Sequence, residues 1–396
     1  MRILLLQDAE WRKKGPHQQH HLMELLSLKG HEILVIGFDQ LWKDEKGSIY
    51  SKKVNVANVC RFYKNAKVSF IRPAFIRIPL LDYASFLFSS RAEIYKQISE
   101  FNPDIIIGFS SILSNYWGLK AAKKFKIPYL YYCYDNPSSL LVPKPFVSTA
   151  EYITVKIMKE SDRVLTINKA LNDYVISLGT NPSITEVLPQ GVDMERFKIS
   201  KSKRKDVRLK YGISDKNTLL FWMGWLYTFS GLKEIIVNMH ENKDVYRNIK
   251  LLIVGYGEDE EVIRNLIKSL NIGDQVIMTG QKPYEEIPEL ISASDICLLP
   301  AHNDKIIRDI VPIKLYEYLA MYKPIITTKL PGVVKEFGEN NGIIYVDAPE
   351  NVLETVLNMD NEILKKIRLN AKNYIKDYDW DNIISDFEDI LNDMIS

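Results

Sequence analysis

Residues 295–328, DICLLPAHNDKIIRDIVPIKLYEYLAMYKPIITT, decide the fold. The apolar run at 296–300 is typical of a buried strand, and a helical pattern follows a polar loop and ends near Met321. Pro324 closes that helix, and the apolar run at 325–328 predicts the next strand. The stretch therefore predicts a strand–helix–strand unit of a parallel α/β sheet.

The beginning of this helix has the residue types of an anion site. Pro312 suits a first helical turn, because its missing N–H would be unpaired there anyway. The free N–H groups and the dipole of such a terminus favour an anion, and Lys314 adds a full positive charge. Glu317, one turn further on, can bond hydroxyls but not phosphates. The pattern suits a ligand with a diphosphate and a sugar or ribose, but a surface lysine and glutamate on an ordinary crossover fit it too.

The composition is ordinary for a folded enzyme of more than one domain. A chain of 396 residues suggests two or three domains, and its net charge of +2 gives no argument for a polyanionic partner. The cysteines Cys60, Cys133 and Cys297 have no metal-type spacing, so we expect no metal site. No apolar run reaches eighteen residues, and we expect a cytoplasmic protein, either free or peripheral to the inner face of the membrane.

The N-terminal part predicts a second doubly wound unit. A strand at 3–6, a helix at 20–29 and a strand at 32–37 follow one another, with a polar loop between the first two. That loop contains Gly15 but no G-x-G-x-x-G fingerprint, which disfavours dinucleotide binding.

The region from Lys46 to Arg77 has eight basic residues and no acidic one, with aromatic residues interleaved. One interpretation is a solvated basic face of strands and loops. The other is a patch that contacts anionic lipid or an anionic acceptor. Nucleic acid is disfavoured, because no recognition module accompanies the charge.

Several motifs resemble one family. The segment PIKLYEYLAMYKPII, together with the seven residues that separate Asp309 from Glu317, resembles the donor-site signature of the retaining, GT-B-fold glycosyltransferases of family 4, also called glycosyl transferases group 1. The family usually has glutamate at both positions, and Asp309 is one methylene shorter. Residues 187–193, VLPQGVD, resemble the interdomain motif P-N-G-V-D of that family.

The resemblance implies a GT-B fold, with two Rossmann-like, doubly wound domains facing a cleft. Residues 1–190 would form the acceptor-side domain and residues 191–375 the nucleotide-sugar-binding domain. Residues 376–396 would form a C-terminal helix that crosses back to the N-terminal domain. Within the second domain, residues 198–210 lack an apolar stripe and suit a linker or an exposed surface. The segments at 332–336 and 342–346 resemble late strands of the family.

The resemblance also implies roles for individual residues. Lys314 would face the departing diphosphate, Glu317 the ribose and Asp309 the sugar hydroxyls. Asp135 would bind an acceptor hydroxyl, although a turn residue before Asn-Pro is an equally good interpretation. The other implied donor-binding residues are Gly15, Gly224, Trp225, Ser230, Gly255, Gln281, Arg308, Pro312, Ile313 and Leu315.

The phosphate-binding loop departs from the family pattern. Many members have Gly-Arg and Lys-Gly there, where this chain has Trp225 and Ser230 in place of the two cations. The resemblance then assigns the diphosphate to Lys314, with Arg308 or Lys305 and backbone N–H groups as further candidates.

The implied function is transfer of a hexose-type sugar, with retention, from a nucleotide-diphosphate sugar to a glycan, a lipid-linked or a small-molecule acceptor. No cofactor and no metal are implied. Two alternatives stay open from the sequence. One is a non-catalytic GT-B subunit that binds a sugar or nucleotide, and the other is a GT-B nucleotide-sugar epimerase.

Overall fold

The structure is a computed structural model that describes residues 1–8, 10–12, 17–39, 42, 47–109, 112–134, 147–305, 307–308 and 310–396. The chain divides into two compact units. Unit 1 contains Met1–Gln190 and Asp381–Ser396, and unit 2 contains Gly191–Trp380.

Unit 1 is built on an eight-stranded sheet with the order β10-β9-β8-β7-β1-β2-β5-β4. Its strands and those of a separate two-stranded ribbon, β3 and β6, are β1 (Arg2–Gln7), β2 (Glu32–Ile36), β3 (Tyr50–Ser51), β4 (Val54–Val59), β5 (Val68–Arg72), β6 (Phe75–Ile76), β7 (Ile105–Phe109), β8 (Tyr129–Cys133), β9 (Arg163–Thr166) and β10 (Thr185–Val187). Neighbouring strands of the large sheet are parallel, except that β4 runs antiparallel to β5 at one edge. The central strands are apolar and fully buried, as strands covered on both faces must be.

The helices of unit 1 that precede unit 2 connect these strands. They are α1 (Gln18–Leu28), α2 (Leu81–Glu100), α3 (Leu113–Phe125), α4 (Val147–Glu160) and α5 (Lys169–Ser177). A small aromatic core formed by Phe38, Trp42, Phe75 and Phe86 lies beneath the ribbon and the first turns of α2. The indole N–H of Trp42 donates to Asp82 at 2.9 Å, so that buried carboxylate is partnered.

Unit 2 is built on a six-stranded parallel sheet with the order β13-β12-β11-β14-β15-β16. Its strands are β11 (Thr218–Trp225), β12 (Ile249–Tyr256), β13 (Val276–Met278), β14 (Ile296–Leu299), β15 (Ile325–Thr328) and β16 (Ile343–Val346). Its helices are α6 (Lys201–Lys210), α7 (Leu232–Glu241), α8 (Glu260–Ser269), α9 (Ile287–Ala293), α10 (Lys314–Ala320), α11 (Pro331–Phe337), α12 (Val352–Leu357) and α13 (Asn361–Ile375). The last helix, α14 (Trp380–Ile395), belongs to unit 1 from Asp381 onward.

The strand order of unit 2 reverses direction between β11 and β14. This is the doubly wound order in which ligands bind beyond the carboxyl ends of the two strands at the reversal. Strand β11 pairs with β12 up to Trp225–Tyr256, whereas its pairing with β14 runs through Leu220–Ile296 and Phe221–Cys297. The topology therefore predicts a ligand site at the carboxyl end of β11, from Met223 onward.

The strand–helix–strand unit predicted at 295–328 is confirmed as β14, α10 and β15. The prediction that Pro312 lies in the first helical turn is wrong, because α10 begins at Lys314. The N–H groups of Leu315 and Tyr316 donate to the carbonyls of Pro312 and Ile313 at 3.1 and 2.9 Å. These two N–H groups are therefore not free for an anion. The side chain of Lys314 is then a stronger candidate for anion binding than the backbone of the first helical turn.

Two other predicted segments differ from the structure in part. Of the two interpretations of residues 198–210, the exposed surface agrees with the structure, since residues 201–210 form helix α6 rather than a linker and most of that helix is exposed. Arg204 and Arg208 attach the helix to the rest of unit 2. Both guanidinium groups donate to the carbonyl of Ala293, at 2.7 and 3.0 Å, and their stems cover apolar surface. The segment at 332–336 lies in helix α11, which Pro331 starts, whereas the predicted strand at 342–346 is confirmed as β16.

No helix among the described residues is both long and apolar enough to span a lipid bilayer.

Candidate active site

Helix α10 contacts the end of β11 through two side chains. The ammonium group of Lys314 donates to the carbonyl of Met223 at 2.8 Å, and the N–H of Met223 donates to the hydroxyl of Tyr318 at 3.1 Å. Residues four apart lie on the same face of a helix, so one face of α10 satisfies both backbone groups of Met223. The ammonium also lies 4.5 Å from the centre of the Trp222 ring, a cation–π distance.

Glu317 lies on the same helix and is buried. Its carboxylate accepts a hydrogen bond of 2.8 Å from the hydroxyl of Tyr284. The guanidinium group of Arg196 lies 5.2 Å from the Tyr284 ring and pairs with Asp193 at 3.4 Å. The carboxylate is thus fixed by a neutral donor, while the nearest described cations lie beyond direct contact.

Burial moves the pKa values of the lysine and the glutamate of α10 towards neutrality. It lowers the pKa of Lys314 to about 7, and the nearby Glu317 carboxylate offsets part of that change. It raises the pKa of Glu317 to about 7, against the hydrogen bond from Tyr284 and the positive charge of Lys314. Groups that titrate near neutrality at the edge of a sheet are typical of functional sites.

Glycines let three chain segments meet beside Lys314. A Cβ atom on Gly255 would lie 1.9 Å from the carbonyl oxygen of Gly224, and Gly255 has a φ of +143°. The N–H of Gly255 donates to the carbonyl of Gly280 at 3.0 Å. A Cβ atom on Gly224 would lie 3.2 Å from the ammonium of Lys314, so this edge leaves space next to the charge.

The end of β11 and the turn after it contain several aromatic residues. Trp225 and Ser230 occupy the positions at which many family members have the two cations. The side chain of Trp225 is 45% exposed, and its ring lies 4.6 Å from that of Tyr256 at the end of β12. The rings of Tyr227 and Phe229 stack at 4.7 Å. Ser230 is buried, and its hydroxyl has no hydrogen-bond partner among the described residues.

Two family models match the chain. The model for Glycosyltransferase Family 4 matches residues 19–196, and the model for Glycosyl transferases group 1 matches residues 203–391. Together they leave six residues unmatched between them.

The chain is a glycosyltransferase of group 1 and family 4.

One relative is similar in sequence along most of its length, and two solved structures are similar in fold. The glycosyltransferase is 25% identical to the uncharacterised glycosyltransferase MJ1069 of Methanocaldococcus jannaschii over 373 residues, or 90% of this chain and 92% of that protein. It is similar in fold to Anabaena Alr3699/HepE, solved in complex with UDP, with a TM-score of 0.74, 17% identity and coverage of 99% of this chain and 100% of that one. Sucrose-phosphate synthase of Thermosynechococcus elongatus gives a TM-score of 0.74 at 15% identity, covering 99% of this chain and 98% of that one. The fold of the chain is GT-B.

The remaining predicted donor-binding residues of this glycosyltransferase differ in exposure. Gln281 is exposed and directly follows Gly280. Arg308 is exposed as well, and its carbonyl accepts a hydrogen bond from Gly332 at 2.8 Å. Pro312 and Ile313 are half-buried, whereas Leu315 is fully buried in the core of unit 2 and contributes to the packing of α10.

Three predicted residues, Gly15, Asp135 and Asp309, lie outside the described residues. Within the described part of the chain, no group of three or more histidine, cysteine, aspartate or glutamate side chains is arranged to hold a metal ion.

The structure adds residues that sequence reasoning missed. Tyr284 and Arg196 surround Glu317 but are far from it along the chain. His302, in the loop after β14, lies with its Nε2 atom 2.9 Å from the carboxylate of Glu234, and its backbone N–H donates to the carbonyl of Phe229 at 2.9 Å. That bond holds the loop after β14 against the residue that precedes Ser230. Nothing in the spacing of these residues along the sequence indicates either contact.

Proposed function

We propose that this glycosyltransferase moves a hexose-type sugar, with retention, from a nucleotide-diphosphate sugar to a glycan, a lipid-linked or a small-molecule acceptor. The observation that carries the proposal is the environment of Lys314. Its ammonium lies at the carboxyl end of β11, bonded to the carbonyl of Met223, and no carboxylate among the described residues forms an ion pair with it. A partly buried cation with a weak, neutral partner is suited to receive an anionic ligand.

The similar structures support a nucleotide-sugar donor. Anabaena Alr3699/HepE was solved with UDP, with UDP and glucose, and with UDP-glucose. The identity of 17–18% supports a common fold only, so neither the base nor the sugar carries over to this chain.

In the proposed reaction, Lys314 stabilises the negative charge that grows on the departing diphosphate. The carboxylate of Glu317 accepts hydrogen bonds from the ribose, and Asp309 binds hydroxyls of the sugar. Asp135 binds the acceptor hydroxyl. Attack occurs on the face from which the diphosphate leaves, because the sequence offers no carboxylate pair suited to a double displacement. We propose no metal and no cofactor for these steps.

Gly224, Gly255 and Gln281 would line the donor with backbone groups. Trp225 and Ser230 would stand beside the diphosphate without neutralising it. Arg308 would supply any second positive charge.

A thermal-shift screen of nucleoside diphosphates and their sugars tests donor binding first. A ligand at about 100 times its dissociation constant stabilises the folded protein by about 2.7 kcal/mol, which gives a readily measured increase in melting temperature. The stabilising sugar nucleotide is then incubated without an acceptor, and slow hydrolysis is followed by proton NMR. Retention predicts that the sugar released first has the anomeric configuration of the donor. The proposal fails if no nucleotide sugar stabilises the protein, and its retaining part fails if the opposite anomer appears first.

A further inference from the structure

Exposed aromatic side chains of unit 2 are found together at one edge of its sheet. Among the described residues of unit 2, three aromatic side chains are exposed: Trp225, Tyr227 and Tyr256. They lie at the carboxyl ends of β11 and β12 or directly after them, at the edge where doubly wound sheets bind ligands. Aromatic rings exposed together at such an edge indicate a surface that a ligand covers.

Trp225 and Tyr256 form a pair, which we call the aromatic pair. They are the last residues of β11 and β12 and are partners in the strand register. Their ring centres lie 4.6 Å apart, with an angle of 60° between the ring planes. Two rings at this angle can contact a flat aromatic ligand by its face and by its edge.

The main chain holds the aromatic pair in place. Leu226 is fully buried, its N–H donates to the carbonyl of Tyr256 at 2.9 Å, and its carbonyl accepts from the N–H of Asp259 at 3.1 Å. A Cβ atom on Gly257 would lie 2.5 Å from the nitrogen of Leu226, so the turns after the two strands are in contact. Because both turns are fixed, the rings need little ordering when a ligand binds.

Trp225 adjoins the ammonium group of Lys314. It directly follows Gly224, at which an added Cβ atom would lie 3.2 Å from that ammonium. The ammonium also lies 4.5 Å from the ring centre of Trp222 on the same strand. An anion bound by Lys314 would therefore lie next to the main chain that carries the exposed indole of Trp225.

Tyr256 adjoins the segment that leads to Glu317. It directly follows Gly255, whose N–H donates to the carbonyl of Gly280 at 3.0 Å. Further along the segment that Gly280 begins, the hydroxyl of Tyr284 donates to the carboxylate of Glu317 at 2.8 Å. Tyr256 thus borders the start of the segment whose end holds the proposed ribose contact.

We propose that the aromatic pair stacks on the base of the nucleotide donor, an inference that rests on the proposed function. In a nucleotide sugar the base is joined to the ribose, whereas the hexose is joined to the far phosphate. A ribose at Glu317 therefore places the base on the side of the segment that Tyr256 borders. Stacking on a base adds affinity without charge, so Trp225 contributes to donor binding at a position where many family members have a cation.

Isothermal calorimetry with ligands that have and lack a base tests the inference. The probes are the tightest binder among UDP, GDP, ADP and dTDP, a sugar nucleotide with the same base, and inorganic pyrophosphate. Trp225→Leu and Tyr256→Leu should each weaken binding of the nucleoside diphosphate about tenfold, and change that of pyrophosphate less than about twofold. Trp225→Phe and Tyr256→Phe should retain most of the affinity, because each keeps an aromatic ring.

Tyr152→Leu is the matched control, because Tyr152 is an exposed tyrosine on α4 of unit 1. It should bind every probe as the wild type does, and all variants should keep the wild-type melting temperature. Unchanged affinity in both leucine variants, or an equal loss for pyrophosphate, overturns the inference.

A loss confined to the sugar nucleotide also overturns the inference, because the aromatic pair would then contact the hexose. These results for the variants concern the inference alone. Wild-type protein that binds none of the four nucleoside diphosphates would overturn the proposed function, and this inference with it.

Discussion

The hydroxyl of Tyr284 donates to the carboxylate of Glu317 at 2.8 Å, deep at the edge of the second sheet. The bond joins the segment after β13 to the middle of α10. A buried carboxylate with one neutral donor keeps accepting capacity for further hydroxyls, and this is the property that the proposed ribose contact requires.

Glu317→Gln should keep the fold but weaken binding of the stabilising nucleotide by about 1.5–3 kcal/mol, because a charge-assisted hydrogen bond is lost. The amide oxygen can still accept from Tyr284, so the local packing is retained. Isothermal calorimetry measures the effect. Glu336→Gln is the matched control, because Glu336 also accepts from a tyrosine hydroxyl, that of Tyr316, at 2.6 Å. Unchanged affinity in Glu317→Gln, or an equal loss in both variants, would contradict the assignment.

Lys314→Met should weaken binding of the nucleoside diphosphate more than binding of its monophosphate. Methionine keeps most of the packing of the stem and removes the charge, which matters more for the ligand with more charge. We expect a loss of about 1.5–3 kcal/mol for the diphosphate. Dissociation constants for the two nucleotides measure the difference, with Lys243→Met, an exposed lysine, as the control. Equal losses for both nucleotides would place Lys314 on the nucleoside or in the fold, and no loss would shift the phosphates to Arg308 or Lys305.

Binding of the diphosphate should take up a proton at pH 8. Burial holds the pKa of Lys314 at about 7 in the free protein, so the lysine is mostly neutral there, and an anion favours its charged form. Affinity should therefore fall as the pH rises above about 7, by up to tenfold per pH unit. Calorimetry in two buffers with different ionisation enthalpies counts the protons. Lys314→Met should take up fewer protons, because Glu317, whose pKa is also about 7, is left to respond to the anion, and an undiminished uptake in that variant would contradict the role of Lys314.

The same pKa has a consequence for stability without ligand. Between about pH 7 and the ordinary lysine value of 10.5, the unfolded chain binds a proton that the folded protein does not. The contribution of Lys314 therefore makes the unfolding free energy rise with pH across this window. Urea titrations of wild type and Lys314→Met at pH 7 and pH 9 should show a smaller rise in the variant.

Asp309→Ala should lower turnover with the sugar donor far more than affinity for the free nucleotide. The expectation comes from the family resemblance, in which the first acidic residue of the motif contacts the sugar and not the base. Steady-state kinetics and calorimetry supply the two values. Equal losses in both would indicate a structural role, such as a helix cap.

Gly255→Ala should destabilise unit 2 by more than about 3 kcal/mol, because its Cβ atom would overlap the carbonyl of Gly224 at a φ of +143°. Gly212→Ala is the control, with a φ of +64° and no atom within 4 Å of the added Cβ, and should cost about 1 kcal/mol. Thermal unfolding measures both. Similar losses would mean that the strands separate easily at Gly224.

Local apolar runs were enough to predict β14, α10 and β15, because each element depends on its own residues. Helix α6 was not predicted, because it is attached through the guanidinium groups of Arg204 and Arg208 and not through an apolar stripe. Charged residues in a sequence usually indicate an exposed surface, so this attachment could not be recognised from the pattern. Lys314 and Glu317 could be chosen as candidates from their spacing on one helix. Their partners Tyr284 and Met223 could not be chosen in this way, because the order of the strands, and not the spacing along the chain, brings them to α10.

The bond between Lys314 and Met223 also means that the ammonium already has an intramolecular ligand. An ammonium group has three N–H donors, so two remain for an incoming ligand while the bond to the carbonyl of Met223 is kept. The main chain thus fixes the position of the charge and leaves donors for a ligand. A phosphate oxygen would gain an ionic contact there and a neutral hydroxyl only a weaker hydrogen bond, so we expect this position to favour the charged ligand.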